Sequence, residues 1–268
     1  MAIHHTAIID PKAEIDREVD IGPYAIVGPR VKIARGCRIG HHATIEGKTT
    51  LDEECQVFPY ASLGTIPQDL TFHGEEVFLV LGKKNTIREH VTINCGTEKG
   101  GNVTRIGDGN LIMAYCHIAH DCELEDGIVI ANGCQFGGHV KVEKHATFGG
   151  MAAIHHFVTV GEKSFIGGLS RIVHDVPPYL TVEGNPARVR CLNTVGLHRR
   201  GFTKDRAQAI KEAYKIIWRS GLTRAAAFQE LEKKGLLTEE VKHLVEFLRA
   251  TEKGRQGRAR EAFRKDKK

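Results

Sequence analysis

The sequence predicts a mainly β protein, in which a solenoid of short parallel strands is followed by an α-helical region. Three observations predict this fold class. An apolar residue recurs at every sixth position through the first two-thirds of the chain, and apolar spacings of three and four then replace that period. The charge changes at the same place, since residues 1–176 carry 16 basic and 22 acidic side chains whereas residues 177–268 carry 22 and 11. We therefore predict a β domain over 1–190 and a helical domain over 191–268.

The period of six fits neither the 3.6-residue turn of a helix nor the simple alternation of a strand, but it fits a short strand and a tight turn, repeated. Three units would close a triangular coil, with the apolar residue inward, a small residue four places later at a corner, and glycine supplying positive φ in the turns. Coils stacked at about 4.8 Å would then number roughly eight. The 25 apolar positions are Ile9, Ile15, Ile21, Val27, Ile33, Ile39, Ile45, Leu51, Val57, Leu63, Leu81, Ile87, Ile93, Ile106, Ile112, Ile118, Leu124, Ile130, Phe136, Val142, Phe148, Ile154, Val160, Ile166 and Ile172.

Two interruptions of the period, residues 64–80 and 97–105, are predicted to be loops that project from the coils. The first mixes polar and aromatic residues, and the second is rich in glycine. Insertions into a solenoid often lie on its binding face, so both loops are candidates for contacts with a ligand.

The helical region begins after a coil-like stretch through Gly184, Asn185 and Pro186. Apolar spacing predicts helices over 204–219 and 223–234, and a third helix that starts near Thr238. The basic tail 251–268 has eight basic and three acidic residues, and we expect its end to be disordered.

Composition excludes several functional classes. No window approaches the roughly 18 apolar residues of a membrane span, and the start of the chain lacks the pattern of a signal peptide, so we expect a cytoplasmic protein without a transmembrane segment. A net charge of +5 over 268 residues does not indicate a nucleic-acid-binding protein. The seven cysteines contain no CxxC pair, which favours neither a disulfide framework nor a zinc knuckle.

Histidines provide the candidate chemistry. His120 and His156 are 36 residues apart, which is two coils, so they should lie one above the other at about 10 Å. Gly138 falls on the coil between them, with His139 beside it, and His117 precedes His120 on the same coil. Histidine is the usual general base near neutral pH, and an exposed amide at Gly138 could stabilise an oxyanion. The spacing therefore predicts one catalytic groove.

Two other interpretations of this groove stay open. Histidines on the polar face of a solenoid can be solvated turn residues, or three of them from neighbouring coils or subunits can bind Zn²⁺. The His-x4-His pair that a metal-dependent solenoid hydratase takes from one coil is absent, because Cys122 stands five residues after His117. Asp121 follows His120, but adjacent strand residues point in opposite directions, so no orienting carboxylate is assigned.

Longer strings carry a resemblance to a known family. They are His117-Ile118-Ala119-His120-Asp121-Cys122, Gly137-Gly138-His139-Val140, Gly149-Gly150-Met151, Asp175-Val176-Pro177-Pro178-Tyr179 and Arg199-Arg200-Gly201-Phe202. Together they resemble the acyl-[acyl-carrier-protein]–UDP-N-acetylglucosamine O-acyltransferases of lipid A biosynthesis, which are hexapeptide-repeat acyltransferases. The resemblance covers essentially the whole chain and implies that the solenoid is a left-handed parallel β-helix.

The resemblance also implies an activity and the roles of individual residues. An (R)-3-hydroxyacyl group would pass from acyl carrier protein to the 3-position of UDP-N-acetylglucosamine, without cofactor or metal. His120 matches the catalytic base, and Gly138 matches the amide that binds the oxyanion. Gln68 and Asp69 match residues that contact the sugar, and Gly168 matches the residue that measures the acyl chain, where glycine favours a longer one. His139 and His156 match residues of the glucosamine and acyl pockets, while Asn193, Arg199 and Arg200 match residues near the nucleotide.

The family is a homotrimer with active sites between subunits, which the resemblance extends to this chain, and loop 64–80 would reach across to a partner. The helical region, in which residues 177–268 have a net charge of +11, could bind the acidic carrier protein. Four residues depart from well-known members, namely Thr71, Asn94, His156 and Val195. Acyl length, an ester or an amide product, and a non-catalytic scaffold remain open alternatives.

Overall fold

The computed structural model describes residues 2–263, and three parallel sheets form the faces of a triangular solenoid. The first sheet contains Ala2–Ile3, Asp20–Ile21, Arg38–Ile39, Gln56–Val57, Thr86–Ile87, Leu111–Ile112, Val129–Ile130, Thr147–Phe148 and Phe165–Ile166. The second contains Ile8–Ile9, Ile26–Val27, Thr44–Ile45, Ser62–Thr65, Thr92–Asn94, His117–Ile118, Gln135–Phe136, Ala153–Ile154 and Arg171–Ile172. The third contains Glu14–Ile15, Lys32–Ile33, Lys48–Leu51, Phe78–Leu81, Val103–Ile106, Glu123–Leu124, Lys141–Val142 and Thr159–Val160.

The chain visits the sheets in the order first, second, third, so three rows of turns form the corners of the prism. The first corner joins the first sheet to the second, the second corner joins the second to the third, and the third corner returns to the first. Strand register stacks equivalent residues of successive coils, as when Ile118 pairs with Ile93 on one side and with Phe136 on the other. The position of a residue within its coil therefore determines which sheet or corner it occupies.

The core consists of the residues that carry the six-residue period. From Ile21 onward each predicted apolar position is buried, whereas Ile9 and Ile15 are only partly buried because the first coils lie at the open end of the prism. The small residues fill the corners, and Cys37 and Cys122 are fully buried there. Burial of this continuous apolar column supplies most of the stabilisation, at about 25 cal/mol for each Å² removed from water.

Residues other than glycine occupy many of the tight turns. Asp121 has φ of 59° and His139 has φ of 62°, both in the left-handed region that glycine was expected to fill. Asn, Asp and His tolerate this region better than most residues. Asp121 and His139 are therefore presented at the second corner.

Both insertions leave the solenoid at the second corner. The first runs between Ser62–Thr65 and Phe78–Leu81, and the second runs between Thr92–Asn94 and Val103–Ile106 and includes the 3₁₀ helix Glu98–Gly100. The buried Asn94 donates from Nδ2 to Thr65 Oγ1 at 2.8 Å and to the Ile66 carbonyl at 2.9 Å. This contact fixes the base of the first insertion to the strand that precedes the second.

The segment expected to be coil-like forms an antiparallel hairpin instead. Leu180–Gly184 extends the first sheet in parallel to Phe165–Ile166, and Ala187–Leu192 pairs with it in the opposite direction. Pro186 lies in the turn of this hairpin, where its missing N–H costs no ladder hydrogen bond.

Four helices follow within the described residues: α1 Thr194–Arg199, α2 Lys204–Arg219, α3 Arg224–Lys233 and α4 Glu239–Lys253. Helices α2, α3 and α4 begin after Thr203, Thr223 and Thr238, whose hydroxyls each accept from a backbone N–H of the first turn. The three predicted helices thus match. None of the helices within residues 2–263 is long and apolar enough to cross a membrane.

The first half of the basic tail packs on the solenoid. Arg258 is buried, forms an ion pair with Glu261, and donates to the Val173 carbonyl at 2.5 Å. A second 3₁₀ helix covers Arg260–Phe263. The end of the tail that was expected to be disordered, residues 264–268, lies outside the described residues.

Candidate active site

His120 and Gly138 lie on adjacent coils at the second corner, as the spacing predicted. A Cβ atom added to Gly138 would lie 2.5 Å from Cε1 and 2.7 Å from Nε2 of His120, so the imidazole rests where any larger residue would place its side chain. Among the described residues, the amide of Gly138 finds no hydrogen-bond acceptor. The ring therefore packs against a residue whose N–H makes no hydrogen bond to the described residues.

Asp121 orients His120, which corrects the expectation that no carboxylate could be assigned. Its Oδ2 lies 2.7 Å from Nδ1 of His120, and its side chain is only 1% exposed. Strand alternation does not apply, because Asp121 is in the left-handed conformation of a turn. Thr97 holds the carboxylate in turn, donating from its N–H to Oδ1 at 2.7 Å and from its hydroxyl to Oδ2 at 2.6 Å.

His139 stands behind this pair. Its ring meets that of His120 edge to face at 5.2 Å, stacks on Phe157 at 4.4 Å, and brings Nε2 to 3.7 Å from Asp121 Oδ2. Burial lowers the pKa of His139 to about 4, against a smaller opposing effect of the Asp121 charge. His139 is therefore neutral at neutral pH and adds no cation beside His120.

A groove of about 430 Å³ opens from His120 across the second sheet. His117, His120, Gly138 and the loop residue Gln68 line it, so the structure brings these four predicted residues together. His117 is fixed by Thr92 Oγ1 at 2.8 Å from its Nδ1, and burial lowers its pKa.

The far end of the groove differs from the prediction. His155 and not His156 lines it, together with Arg171 and Gln135. His156 lies against its neighbours instead, with its ring 3.8 Å from that of His155 and 5.6 Å from that of Phe157. The outward positions of the second-sheet strands could have been found from the same period, because Gln135 and Arg171 are 36 residues apart.

Asp69 follows the groove residue Gln68 in the first insertion. Its Oδ1 accepts from the Thr71 N–H at 2.8 Å and from the Thr71 hydroxyl at 2.9 Å, and the backbone hydrogen bond is the main reason that the pKa of Asp69 is lowered. The charge of Lys99, and that of His120 when its ring is protonated, act in the same direction. Asp69 is therefore an acceptor for donors near His120.

His120, Asp121 and His139 also place three possible metal ligands within 4.8 Å of one another. The Asp121 oxygens, however, already accept from Thr97 and contact the His120 ring. This arrangement suits a carboxylate that orients an imidazole better than one that has lone pairs left for a cation.

The predicted nucleotide residues form a separate pocket. Asn193, Arg199 and Arg200 line a cavity of about 620 Å³ between the third corner and the outer face of the first sheet. Asn193 caps α1 through the Gly196 N–H at 3.0 Å, and Arg200 donates to the Gly127 carbonyl at 3.0 Å. Burial, followed by the charges of Arg200 and of the nearby Lys163, lowers the pKa of His145 in this pocket.

Gly168 lies apart from both cavities. It belongs to the first corner, where an added Cβ would come within 3.2 Å of the Gly150 carbonyl oxygen. Within one chain the predicted site residues therefore fall into separate groups, at the groove, at the cavity of Arg199 and Arg200, and at the first corner.

Comparisons with known proteins identify the family of the chain. Residues 175–256 match the family model for domain 2 of UDP N-acetylglucosamine O-acyltransferase, and residues 104–138 match the bacterial transferase hexapeptide model. The acyl-[acyl-carrier-protein]–UDP-N-acetylglucosamine O-acyltransferase of Anaeromyxobacter dehalogenans strain 2CP-1 is 48% identical over 95% of this chain and 99% of its own length. That of Thermodesulfovibrio yellowstonii is 46% identical over 94% and 98%.

The chain belongs to the acyl-[acyl-carrier-protein]–UDP-N-acetylglucosamine O-acyltransferase family. The solved UDP-N-acetylglucosamine acyltransferase from Campylobacter jejuni is similar to it with a TM-score of 0.86 and 41% identity, covering 92% of this chain and 95% of that one. The acyltransferase from Francisella novicida gives 0.87 and 34%, covering 92% and 90%. The predicted family, the enzyme class and the left-handed parallel β-helix followed by helices are thereby confirmed.

Proposed function

We propose that this acyltransferase moves an (R)-3-hydroxyacyl group from acyl carrier protein to the 3-hydroxyl of UDP-N-acetylglucosamine, with His120 as the general base. Family membership supports the two substrates, which are those in the names of the relatives. One observation carries the mechanism: Asp121 holds Nδ1 of His120 at 2.7 Å, and the ring packs against Gly138, whose amide has no acceptor among the described residues.

Each group has a defined part in the transfer. The Asp121 carboxylate accepts a hydrogen bond from Nδ1–H of His120. This fixes the tautomer in which the Nε2 lone pair is available to remove the proton of the sugar hydroxyl. The hydroxyl oxygen attacks the thioester carbonyl, and the Gly138 N–H donates to the developing oxyanion. When the intermediate collapses, the C–S bond breaks and His120 returns the proton to the leaving thiolate. Asp121 stabilises the imidazolium in the interval.

The remaining predicted residues would bind the substrates. Gln68 and Asp69 would receive the glucosamine hydroxyls at the mouth of the groove, and the acyl chain would follow the groove past His117. His139 and His156 would border the sugar and acyl pockets from behind and beside the groove. Asn193, Arg199 and Arg200 would hold the nucleotide, because guanidinium groups suit a pyrophosphate.

A homotrimer with composite sites would join the two cavities. The groove opens on the second sheet and the Arg200 pocket opens on the first, and these sheets flank the first corner. That corner exposes a column of large apolar and aromatic side chains, which marks an interaction surface. Three chains packed around it would set the groove of one subunit against the pocket of the next. The exposed members are Tyr24 at 55%, Tyr60 at 48%, Tyr115 at 62%, Met151 at 62% and Leu169 at 77%.

Product analysis tests the reaction. Purified enzyme should convert a mixture of 3-hydroxyacyl carrier proteins and UDP-N-acetylglucosamine into one mass-identified ester, and the Gly168 position leads us to expect one of the longer chains. His120→Ala should abolish turnover while the oligomer stays folded; near wild-type activity in this variant would overturn the role of His120. A preferred 3-amino sugar nucleotide would instead assign an amide product. Zinc at one ion per subunit that is needed for turnover would favour the metal interpretation, and no turnover with any donor would favour a scaffold.

Subunit mixing tests the composite site. His120→Ala and the double variant Arg199→Ala/Arg200→Ala should each be nearly inactive alone. After the two are refolded together in equal amounts, about a quarter of the sites in closed trimers should combine an intact His120 with an intact arginine pair. Recovery of activity is the expected result, and no recovery from demonstrably mixed trimers would place the whole site within one subunit.

A further inference from the structure

The second insertion contains a short turn, residues 97–101, that contacts both halves of the groove. Thr97 caps the 3₁₀ helix Glu98–Gly100, since its hydroxyl accepts from the Gly100 N–H at 3.3 Å. Gly101 closes the turn with φ of 93°, a conformation that favours glycine. The turn is thus a small unit with fixed geometry.

The inner side of this turn meets the pair of His120 and Asp121. The N–H and hydroxyl of the buried Thr97 both donate to Asp121, at 2.7 and 2.6 Å. A Cβ atom at Gly100 would overlap the carboxyl carbon of Asp121, so the turn approaches the carboxylate as closely as backbone allows. The Thr97 hydroxyl and the His120 ring therefore share the Oδ2 atom of Asp121, while the Thr97 N–H holds Oδ1.

The outer side of the turn meets the first insertion. Lys99 Nζ donates to Thr71 Oγ1 at 2.6 Å, and the same hydroxyl donates onward to Asp69 Oδ1 at 2.9 Å. This chain of hydrogen bonds joins the two insertions across the second corner. Lys99 supplies both a fixed contact and a positive charge beside Asp69.

We propose that the 97–101 turn is a clamp with two positioning residues, in which Thr97 fixes the orientation of His120 through Asp121 and Lys99 fixes the sugar-binding segment around Asp69. The inference rests on the proposed function, because it assigns these residues to the groove in which His120 acts. Neither residue touches the reacting atoms. The clamp makes the geometry of the base and that of the acceptor loop depend on one turn.

Thr97 is tested by substitutions that change one atom group at a time. Thr97→Val keeps the shape but removes the hydroxyl donor, and we expect kcat to fall about tenfold with KM nearly unchanged. With one donor fewer, the Asp121 carboxylate should stabilise the His120 imidazolium more strongly and so raise the pKa of His120. The acidic limb of the plot of kcat against pH should therefore move to higher pH. Thr97→Ser should restore both properties. An unchanged profile in Thr97→Val, or no rescue by serine, would overturn this half of the inference.

Lys99 has a different signature. Lys99→Met should raise KM for UDP-N-acetylglucosamine about fivefold to tenfold while kcat stays within about twofold, and Lys99→Arg should recover most of the affinity. Lys84→Met is the matched control, because Lys84 is an exposed lysine of the third corner whose nearest carboxylate is Glu54 at 3.8 Å. Equal KM values for Lys99→Met and Lys84→Met would overturn the role of Lys99.

The experiments distinguish a failure of the clamp from a failure of the proposed function. Activity in His120→Ala would refute the base itself. An inactive His120→Ala together with wild-type kinetics in Thr97→Val and Lys99→Met would refute only the clamp.

Discussion

The close contact between the His120 ring and Gly138 makes a sharp prediction for Gly138→Ala. An alanine methyl would begin 2.5 Å from Cε1, 2.7 Å from Nε2 and 3.0 Å from Nδ1 of His120. Carbon atoms pack at about 3.5–4.0 Å, so the ring must retreat by about 1 Å. The retreat pulls Nδ1 from Asp121 Oδ2, which now lies at 2.7 Å.

The magnitude follows from this displacement. A reacting group that is misplaced by about 1 Å can cost about a hundredfold in rate, and weakening the charge-assisted bond to Asp121 adds to that loss. We expect kcat to fall between about a hundredfold and a thousandfold, which corresponds to about 3–4 kcal/mol in the activation barrier. KM for the sugar nucleotide should change little, since alanine keeps the backbone N–H and Gly138 is not part of the cavity lined by Arg199 and Arg200.

Steady-state kinetics and thermal unfolding measured on the same preparations provide the assay. Gly28→Ala is the control, because Gly28 lies on the same corner of an early coil and an added Cβ there would meet its nearest atoms at an ordinary 3.5 Å. That variant should keep wild-type kcat. If Gly138→Ala also turns over within threefold of wild type while folded, the ring is not held against Gly138 and the geometry argued above is wrong.

Three further predictions concern Asp121, His139 and Arg200. Asp121→Asn should lower kcat about a hundredfold or more, because an amide cannot accept from Thr97 and orient the imidazole at once; kcat near wild type would contradict this role. Folded-state burial of His139 lowers its pKa from 6.5 to about 4, so its contribution to stability is complete above pH 6.5 and is lost as the pH falls towards 4. That loss amounts to at most about 3 kcal/mol. Urea unfolding midpoints measured between pH 6.5 and 4 should therefore fall less in His139→Gln than in the wild type. Equal falls in the two proteins would refute the burial argument. Arg200→Met should raise KM for UDP-N-acetylglucosamine at least about tenfold, which initial rates at fixed donor would measure, whereas an unchanged KM would remove Arg200 from the nucleotide pocket.

The fold was predictable because one constraint recurs in every coil. The apolar position of each unit must face inward, so the six-residue period predicts the buried residues from Ile21 to Ile172. The same arithmetic brings His120 and Gly138 together, since strands stack in register at multiples of 18 residues. Helices α2 to α4 follow from apolar spacing and from the threonine that caps each of them.

What the sequence did not reveal depends on geometry outside the strands. Asp121 was missed because turn residues with positive φ do not follow strand alternation, and nothing in the local pattern gives their direction. The contacts of Thr97 and Lys99 depend on how two irregular insertions fold against each other, and no period describes that. The docking of Arg258 on Val173 joins residues 85 positions apart, and its charge suggested solvent.

The three corners of the prism differ because the sheets leave only the corners free to vary. Backbone hydrogen bonds run from coil to coil along the three sheets, so an insertion inside a strand would break two ladders, whereas one at a corner leaves the ladders intact. Both insertions at the second corner therefore reach each other and His120 without disturbing the stack. The first corner has no insertion, and its rings stack in regular steps, with Tyr60 on His90 at 5.1 Å and His90 on Tyr115 at 4.8 Å. A straight edge of this kind can pack against copies of itself along its whole length, which is what a trimer with its sites between the subunits requires.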